Sequence, residues 1–344
     1  KKPKLVVMVD CGSTSNKAID FLKQNNIRSI IIDHHEINKP YPKSDAIINP
    51  KKQLIFKENT FLCATGLTYF FIDILIKKTK SNFELTNFLI YVLLATICDV
   101  MPLRKINKII ACNTINNFDL KNSMALNYIF KQCNLKKKLT IEDLGFLIGP
   151  IINSSGRISN SQIAADLLIS ENYHIVKEKS LELIKLNNIR KDIENKILNE
   201  INFEKLEKEN KNIIIFYSSK IKEGLIGIIA SRLKDYFNKP SIVITASKNK
   251  LKGSARSTVN YNIGSVIKKL IDKKLIENGG GHNMAAGFSM KKDKLKNLED
   301  FILKDFALKN KKHNLNNTYD AEISPSAINI NFTNEINKIG PYGY

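Results

Sequence analysis

Two short apolar runs near the amino terminus, each ending in an acidic residue, constrain the fold of this chain most strongly. The run Leu5–Val9 ends at Asp10, and the run at 27–32 ends at the triplet Asp33-His34-His35. Between them, apolar side chains recur at helical spacing, which is typical of a β-α-β unit. Both acids then lie at one edge of a parallel sheet, where open α/β folds place their active sites.

A third carboxylate follows the next strongly apolar segment of the chain. Residues 85–97 predict a buried helix, and Asp99 comes directly after it, just before the helix-stopping Pro102. Each acid taken alone is as readily explained as an ordinary cap. Together with His34 they supply carboxylate and imidazole ligands, which suit Mn²⁺ or Mg²⁺ better than they suit a soft metal. The pattern therefore favours a metal site formed by Asp10, His34 and Asp99.

The charge balance favours an anionic partner. With 54 Lys+Arg against 33 Asp+Glu, the formal net charge is +21, which attracts a polyanion and makes binding salt-dependent. Only six of these residues are arginine, so much of the charge is also explained by a generic lysine-rich surface. Arginine grips phosphate bidentately, which makes Arg157, Arg190, Arg232 and Arg256 the more informative cations. Structural ion pairs remain the alternative for Arg190 and Arg232.

Length and composition bound the remaining choices. At 344 residues and 43% hydrophobic, the chain is expected to form two domains. Five cysteines without a C-x-x-C motif indicate reduced thiols and predict a cytoplasmic protein. No apolar stretch reaches about 18 residues without a charge. No signal peptide is visible either, so neither membrane insertion nor secretion is expected.

The motifs resemble those of the DHH phosphoesterases and, within that family, the RecJ single-strand-specific exonucleases. One group of motifs is shared across the superfamily and lies at 9–12, 33–35, 64–66, 99–103 and 149–157. A second group, in an order more specific to RecJ, lies at 224–232, 253–257 and 279–288.

This resemblance implies an α/β fold in which a parallel-sheet DHH domain is joined by a long helix to a smaller α/β DHHA1-type domain. The predicted boundaries are 1–172 for the DHH domain, 173–205 for the bridging helix and 206–312 for the DHHA1-type domain. Residues 313–344 would form a linker, solvated over 309–317, and the start of an OB-type domain.

The activity that the resemblance implies is 5′ to 3′ hydrolysis of single-stranded DNA in repair and recombination. Two Mn²⁺ or Mg²⁺ ions would serve the full-length protein, with Asp10 bridging them and His34 and Asp99 completing one coordination sphere. Asp33 would orient the His34 ring, and His35 would touch the scissile phosphate. DNA-repair and single-strand-binding proteins are the protein partners such an enzyme is expected to meet.

A phosphate-binding set is expected beyond the metal ligands. A loop at 153–157, after Gly149 and Pro150, would offer backbone N–H groups and small side chains to a phosphate. The resemblance also implies that the second domain faces the metal site across a cleft. The glycines at 279–281 would let a nucleotide backbone approach the main chain closely, although they can also form a tight turn and nothing more. The predicted contacts are Asn153, Ser155, Arg157, Arg232, Ser254, Arg256, Gly280, Gly281 and His282.

The sequence also departs from the family pattern. It enters directly on the second motif, so the preceding Asp-rich strand is missing and the chain is expected to be a fragment that binds single-stranded DNA but cleaves it poorly. Ile221-Lys222 replaces the usual Trp-His pair. Two alternatives stay open: a DHH phosphoesterase of short oligonucleotides or cyclic dinucleotides, and a catalytically silent nucleic-acid-binding module.

Overall fold

The structure is a computed structural model that describes residues 2–52, 61–309 and 319–343. The chain divides into two compact units. The first comprises 1–150, 171–177 and 321–344, and the second comprises 151–170 and 178–320. Among the helices within the described ranges, none combines the length and the hydropathy that a membrane span requires.

The first unit contains a three-stranded parallel sheet. Its strands are ordered β1-β2-β3, and the pairing aligns Val9 with Ile32 and Ile32 with Ile48. The predicted β-α-β unit is confirmed. Buried Ile31 and Ile32 explain why the central strand carries a nearly continuous apolar run. The elements are β1 Leu5–Val9, α1 Asn16–Gln24, β2 Arg28–Ile32 and β3 Ala46–Ile48.

Helices make up most of the rest of the first unit. The helix predicted at 85–97 is observed as a 3₁₀ turn followed by α3, whose apolar residues Ile90, Leu93 and Ile97 are buried. A π-helical turn at Leu144–Ile148 follows α6. The helices are α2 Ala64–Thr79, α3 Leu89–Cys98, α4 Ile106–Asn117, α5 Met124–Gln132 and α6 Ile141–Asp143, with 3₁₀ turns at Thr86–Phe88 and Leu120–Asn122.

Helix α7, Gly149–Ile158, replaces the loop that was predicted at 153–157. That prediction is wrong, because α7 continues without a break from the π-helical turn Leu144–Ile148, in which the N–H group of Gly149 donates to the carbonyl of Leu144. This change in hydrogen-bond pattern lies directly before Pro150, so the proline does not end the helix. The hydroxyl groups of Ser154 and Ser155 donate to the carbonyls of Ile151 and Ile152, inside the same helix. Helix α8, Gln162–Ile169, comes next.

A single helix, α9, runs from Tyr173 to Glu200 over most of the stretch predicted to be one long helix. Its residues 173–177 group with the first unit, and those from 178 onward group with the second. In the second unit, Ile193 and Ile197 pack against a core that includes Leu225 and Ile229. The domain boundaries inferred from the resemblance stay predictions.

The second unit contains a five-stranded mixed sheet ordered β4-β5-β6-β8-β7, in which the pair β4-β5 is parallel and the other pairs are antiparallel. The predicted α/β unit here is confirmed. The elements are α10 Phe203–Lys208, β4 Ile214–Tyr217, a 3₁₀ turn Glu223–Leu225, α11 Ile226–Phe237, β5 Ser241–Ser247, β6 Lys250–Arg256, α12 Ile263–Asp272, β7 Asn278–Gly281, β8 Ala285–Met290, a 3₁₀ turn Lys292–Lys294 and α13 Leu295–Lys309.

The glycines at 279–281 form edge strand β7 instead of the predicted turn. Gly280 pairs with Gly287 of β8, and Gly281 pairs with Ala286. A Cβ atom on Gly281 would collide with Ala285 and Ala286 of the neighbouring strand, so only glycine allows this close approach. The chain reverses afterwards, where the N–H group of His282 donates to the carbonyl of Ala285 at 2.7 Å.

The final described segment, 319–343, contains a 3₁₀ turn Pro325–Ala327 and helix α14 Ile330–Ile339. The Lys108 ammonium contacts the carboxyl end of α14, where it donates to the carbonyls of Ile339 at 2.7 Å and Pro341 at 2.5 Å. Residues 310–317 of the predicted linker lie outside the described residues. The start of an OB-type domain in this region stays a prediction.

Candidate metal centre and arginine cluster

Asp10 stands where β1 ends, and a tight turn fixes its position. Its φ of 62° is left-handed, a conformation that Asp tolerates better than most residues, and its N–H group donates to the carbonyl of Ile32 at 3.0 Å. Gly12 continues the turn with φ 110°. A Cβ atom there would lie 3.1 Å from the Ile31 side chain, so the turn favours glycine. The Asp10 carboxylate is thereby held at the carboxyl edge of the sheet.

The imidazole of His34 joins two carboxylates. Its Nε2 atom lies 3.3 Å from Oδ1 of Asp10 and 3.3 Å from Oδ2 of Asp99, and its side chain is only 7% exposed. The structure therefore brings together the three side chains that the sequence predicts as metal ligands. They come from the ends of β1, β2 and α3.

Asp33 is buried directly behind this group. Its Oδ1 atom accepts hydrogen bonds from the N–H groups of His34 and His35 at 2.8 and 3.2 Å and lies 2.7 Å from Nδ1 of His35, while its Oδ2 atom accepts from the N–H group of Ser13 at 3.1 Å. Burial alone would raise the pKa of Asp33, but hydrogen bonds from His35 and Ser13 outweigh it and hold the pKa well below its usual range.

The partner of Asp33 differs from the one expected from the resemblance. Its carboxylate contacts the ring of His35, whereas it contacts only the backbone N–H group of His34. The hydrogen bond to Asp33 raises the pKa of His35. Burial opposes this shift, whereas the nearby charges of Asp33, Asp10 and Asp99 raise the pKa of His35 further. Two successive histidines therefore point their rings at different carboxylates.

Asp99 is placed by the end of α3, where its N–H group donates to the carbonyl of Ala95 at 2.9 Å. The next residue, Val100, has a φ of 53°, which is strained for a β-branched side chain. Such strain tends to occur at functional sites, where the surrounding structure enforces it. Pro102 indicates a helix end in the sequence, but the strained valine has no sequence signal.

The donor set fits a hard divalent cation. Donor atoms of Asp10, His34 and His35 all lie within 4.8 Å of one another. Burial raises the pKa of the neighbouring Cys98 thiol to about 11 and also raises that of Cys11, so neither thiol offers a thiolate charge at neutral pH in the absence of a metal. Carboxylate oxygen and imidazole nitrogen without thiolate match Mn²⁺ or Mg²⁺.

In the second unit, guanidinium groups gather into what we call the arginine cluster, formed by Arg157, Arg190, Arg232 and Arg256. Burial lowers the pKa of Arg157, and the positive charges of Arg190 and Arg256 lower it further, against the opposing charge of Glu194. Its Nη1 atom donates to the carbonyl of Gly224 at 3.3 Å. Such mutual repulsion is relieved by an anion, which makes the cluster a candidate phosphate site.

Arg256 and Ser254 lie on β6, beside the first turn of α11. The Nη1 atom of Arg256 donates to Oγ of Ser254 at 3.2 Å and to the carbonyl of Ala255 at 2.9 Å. A Cβ atom on Gly227 would lie 3.1 Å from Arg256 Nη2 and 3.2 Å from Ser254 Oγ. The small residue therefore lets the beginning of the helix approach a guanidinium and a hydroxyl, both of which can bind phosphate.

Arg190 and Arg232 both pair with Glu194, a residue that the sequence reasoning missed. Arg190 Nη1 donates to Glu194 Oε2 at 2.8 Å, and Arg232 Nε donates to Glu194 Oε1 at 2.7 Å. The alternative of ion pairs is therefore observed for both arginines. The i, i+4 spacing of Arg190 and Glu194 on α9 was the available sequence signal.

The remaining predicted contacts fall into two groups. Ser155 is completely buried, so its predicted phosphate contact is wrong. Asn153 is exposed on α7, and Gly280, Gly281 and His282 are exposed at the end of β7. A Cβ atom on Gly280 would meet nothing within 4 Å, which leaves the backbone open to a ligand.

Both parts of the chain are similar to known proteins. Residues 2–97 match the DHH family, N-terminal domain, and residues 210–307 match the DHHA1 domain. The single-stranded-DNA-specific exonuclease RecJ of Haemophilus influenzae is 29% identical and covers 100% of this chain, and that of Escherichia coli is 29% identical and covers 85%. The chain spans 63% and 54% of the length of these two relatives.

Solved structures show the same fold. RecJ from Thermus thermophilus in complex with Mn²⁺ superposes with a TM-score of 0.86 at 21% identity, covering 99% of this chain and 50% of that chain. An exonuclease RecJ bound to manganese superposes with a TM-score of 0.70 at 22% identity, covering 88% of this chain and 75% of the other.

Proposed function

We propose that this chain, a RecJ-like member of the DHH family, hydrolyses phosphodiester bonds of single-stranded DNA as a metal-dependent exonuclease acting from the 5′ end. The observation that carries the proposal is the convergence of Asp10 and Asp99 on the ring of His34, each at 3.3 Å. The relatives named as single-stranded-DNA-specific exonucleases support the substrate. Since the chain spans about half to two thirds of their length, the activity of the whole protein belongs to this proposal.

The metal site is assigned to Asp10, His34 and Asp99. A divalent cation bound there would lower the pKa of a water molecule and neutralise charge on the phosphoryl oxygens. Mn²⁺ is supported by the solved RecJ structures that contain it, and Mg²⁺ by another solved RecJ complex. Two such ions remain part of the proposal, and Asp10 is among the residues that would hold them.

Asp33 and His35 have a separate task beside this site. The buried carboxylate of Asp33 fixes the ring of His35 at 2.7 Å. A ring that is already oriented loses little freedom when it donates a hydrogen bond to a phosphate oxygen. We therefore assign the contact with the scissile phosphate to His35 and the positioning of its ring to Asp33.

The single strand of DNA is bound by the second unit. The arginine cluster and Ser254 offer phosphate contacts, while the exposed backbone of Gly280 and Gly281 and the exposed His282 offer a surface without bulky side chains. Contacts to phosphate carry no sequence information, so they predict binding with little sequence preference. An exposed Arg232 and the exposed Asn153 extend this surface.

The test is hydrolysis of 5′-labelled DNA by the natural protein that carries this sequence, with and without Mn²⁺. Single strands should be degraded and duplexes spared, and the His34→Ala variant should lose the activity while retaining its fold. A dinucleotide serves as the third substrate. If it is hydrolysed faster than a long single strand, the protein is a short-oligonucleotide phosphoesterase and the exonuclease assignment is wrong.

A cytoplasmic location is part of the same proposal and is supported by the five free cysteines. A role in DNA repair and recombination, and contacts with repair or single-strand-binding proteins, rest on the family resemblance. Fractionation of cells and capture of partners with the intact protein would test them.

A further inference from the structure

Glu194 bridges two helices within the arginine cluster. One carboxylate oxygen accepts from Arg190 on its own helix α9 at 2.8 Å, and the other accepts from Arg232 on α11 at 2.7 Å. The Glu194 side chain is only 5% exposed. Burying a carboxylate is costly unless it is paired, and here each oxygen has its own guanidinium partner.

Neutral groups are the other hydrogen-bond partners of the cluster. Arg157 donates to the carbonyl of Gly224, Arg190 to the amide oxygen of Asn187, and Arg256 to Ser254 and to a backbone carbonyl. Within the described part of the chain, Glu194 is the one acidic partner of four guanidinium groups. The cluster therefore keeps three positive charges for a bound anion.

A carboxylate inside a phosphate-binding surface is electrostatically unfavourable for DNA, because it repels phosphate. Its geometry offers a compensating effect. Glu194 engages Arg232 through Nε alone, and the Arg232 side chain stays 59% exposed. The bond thus fixes the stem of an otherwise flexible side chain while its guanidinium end remains accessible. Ordering a side chain before binding removes part of the entropy cost of binding.

We propose that Glu194 is a positioning residue that holds Arg232, together with Arg190, in the orientation in which the arginine cluster binds the phosphates of a single strand. The inference rests on the proposed function, because it takes the cluster as the surface that holds DNA.

The direction of the change in affinity tests it. In Glu194→Gln the cluster gains one net positive charge, so charge alone predicts tighter binding of a single-stranded 20-mer, measured by fluorescence anisotropy. Loss of positioning predicts the opposite, a roughly tenfold weaker affinity, the size of one charge-assisted contact. The slope of log affinity against log salt should flatten by about 0.7, the value for one phosphate contact on a single strand. Unchanged or tighter binding overturns the proposal.

The matched control is Glu178→Gln on the same helix. Glu178 pairs with Lys179 at 3.0 Å on the surface, with 69% of its side chain exposed. The Glu178→Gln variant removes the same negative charge and should change the affinity for the single-stranded 20-mer less than about twofold, because exposed ion pairs contribute little. A tenfold loss in this control would show that replacing an unrelated glutamate of α9 weakens binding equally, and would refute the positioning role.

A second variant keeps the inference testable if Glu194→Gln does not fold. Arg232→Lys retains the charge, but one ammonium is a point charge and cannot reproduce the planar fork that serves Glu194 and a phosphate together. Arg232→Lys should therefore bind about as weakly as Arg232→Ala. If it binds like the parent, charge suffices and the positioning role is overturned.

The two proposals fail differently. If Arg256→Ala weakens DNA binding but both Glu194→Gln and Arg232→Lys leave it unchanged, the cluster binds DNA and Glu194 does not position it. If the Arg157, Arg232 and Arg256 alanine variants all bind DNA like the parent, the assignment of the strand to the arginine cluster fails first. In a double-mutant cycle, Glu194→Gln should have little effect once Arg232 is alanine, and additive losses would contradict the mechanism.

Discussion

The Nδ1 atom of His35 lies 2.7 Å from the Oδ1 atom of Asp33, a carboxylate that is only 1% exposed. The same carboxylate accepts hydrogen bonds from the backbone N–H groups of Ser13, His34 and His35. One buried acid therefore fixes the turn that carries both histidines and the ring of the second histidine. This arrangement separates the ring of His34, the proposed metal ligand, from the ring of His35, which Asp33 orients.

Replacing Asp33 with Asn should lower the rate of DNA hydrolysis on the order of 100-fold, as expected for a misplaced catalytic group. An amide cannot accept at both atoms, so either the His35 ring or the Ser13 N–H group loses its partner. Mn²⁺ affinity, measured by calorimetry, should change far less than the rate. Asp45→Asn is the control, since that carboxylate is also a backbone acceptor, at 2.7 Å from the N–H group of Ser29, but lies on the surface. Equal rates for Asp33→Asn and the parent would refute the role of Asp33.

Replacing Asp99 with Ala should abolish measurable Mn²⁺ binding in calorimetry, because it removes one of the two carboxylates beside the His34 ring. Chelation of the metal should likewise stop hydrolysis by the parent. Asp73→Ala is a suitable control, as it removes a half-buried acid that pairs with Lys77 on α2, away from the His34 ring. Retained affinity in a folded Asp99→Ala protein would exclude Asp99 as a ligand.

Replacing Arg256 with Ala should weaken single-strand binding roughly tenfold, the equivalent of about 1.5 kcal/mol for one charge-assisted contact. The salt dependence should also flatten, because one fewer counterion is released on binding. Arg28→Ala removes the same charge from a side chain that is paired with Asp45 on the surface of the first unit, and should bind like the parent. If Arg256→Ala and the parent agree in both affinity and salt slope, Arg256 has a structural role only.

Stability at alkaline pH should depend on Tyr261. Its hydroxyl donates to Asp305 at 3.3 Å, and burial, reinforced by that negative charge, raises the pKa of Tyr261. The folded state keeps this tyrosine neutral, whereas the unfolded chain releases its proton near pH 10, the ordinary value. The stabilisation relative to the unfolded chain is therefore complete below about pH 10 and is lost as the pH rises further.

Denaturant unfolding at about pH 8 and pH 10.5 measures this effect. Between these values the parent should lose more free energy of unfolding than Tyr261→Phe, which cannot ionise. Comparing this loss between the two proteins cancels the contribution of the other titrating groups. A parallel loss in both proteins would show that Tyr261 does not titrate in the unfolding equilibrium.

Several features were predictable because they depend on local patterns. The short apolar runs at 5–9 and 27–32 predict parallel strands, and strand polarity alone then brings Asp10 and Asp33 to one sheet edge. The apolar run before Asp99 predicts helix α3 in the same way. These inferences need no knowledge of which side chains meet across the fold.

Other features depend on packing between distant segments. Ser154 is buried because α7 lies beside α9, where its hydroxyl donates to the carbonyl of Leu183, and the glycines at 279–281 form a strand because β8 offers its edge. The ring that Asp33 contacts depends on the course of the turn after β2. Glu194 on α9 meets Arg232 on α11, 38 residues further along the chain, only because the two helices pack beside each other.

The sequence by itself determined the parallel strands, the carboxylates at the sheet edge and the family motifs, because strand polarity and side-chain periodicity are local properties. Only the tertiary structure decided the pairing of Asp33 with His35, the burial of Ser155 and the bridge of Glu194 between two arginines. The physical reason is that hydrogen-bond and ion-pair partners are chosen by distance and desolvation, and both are set by the packing of segments far apart in the chain.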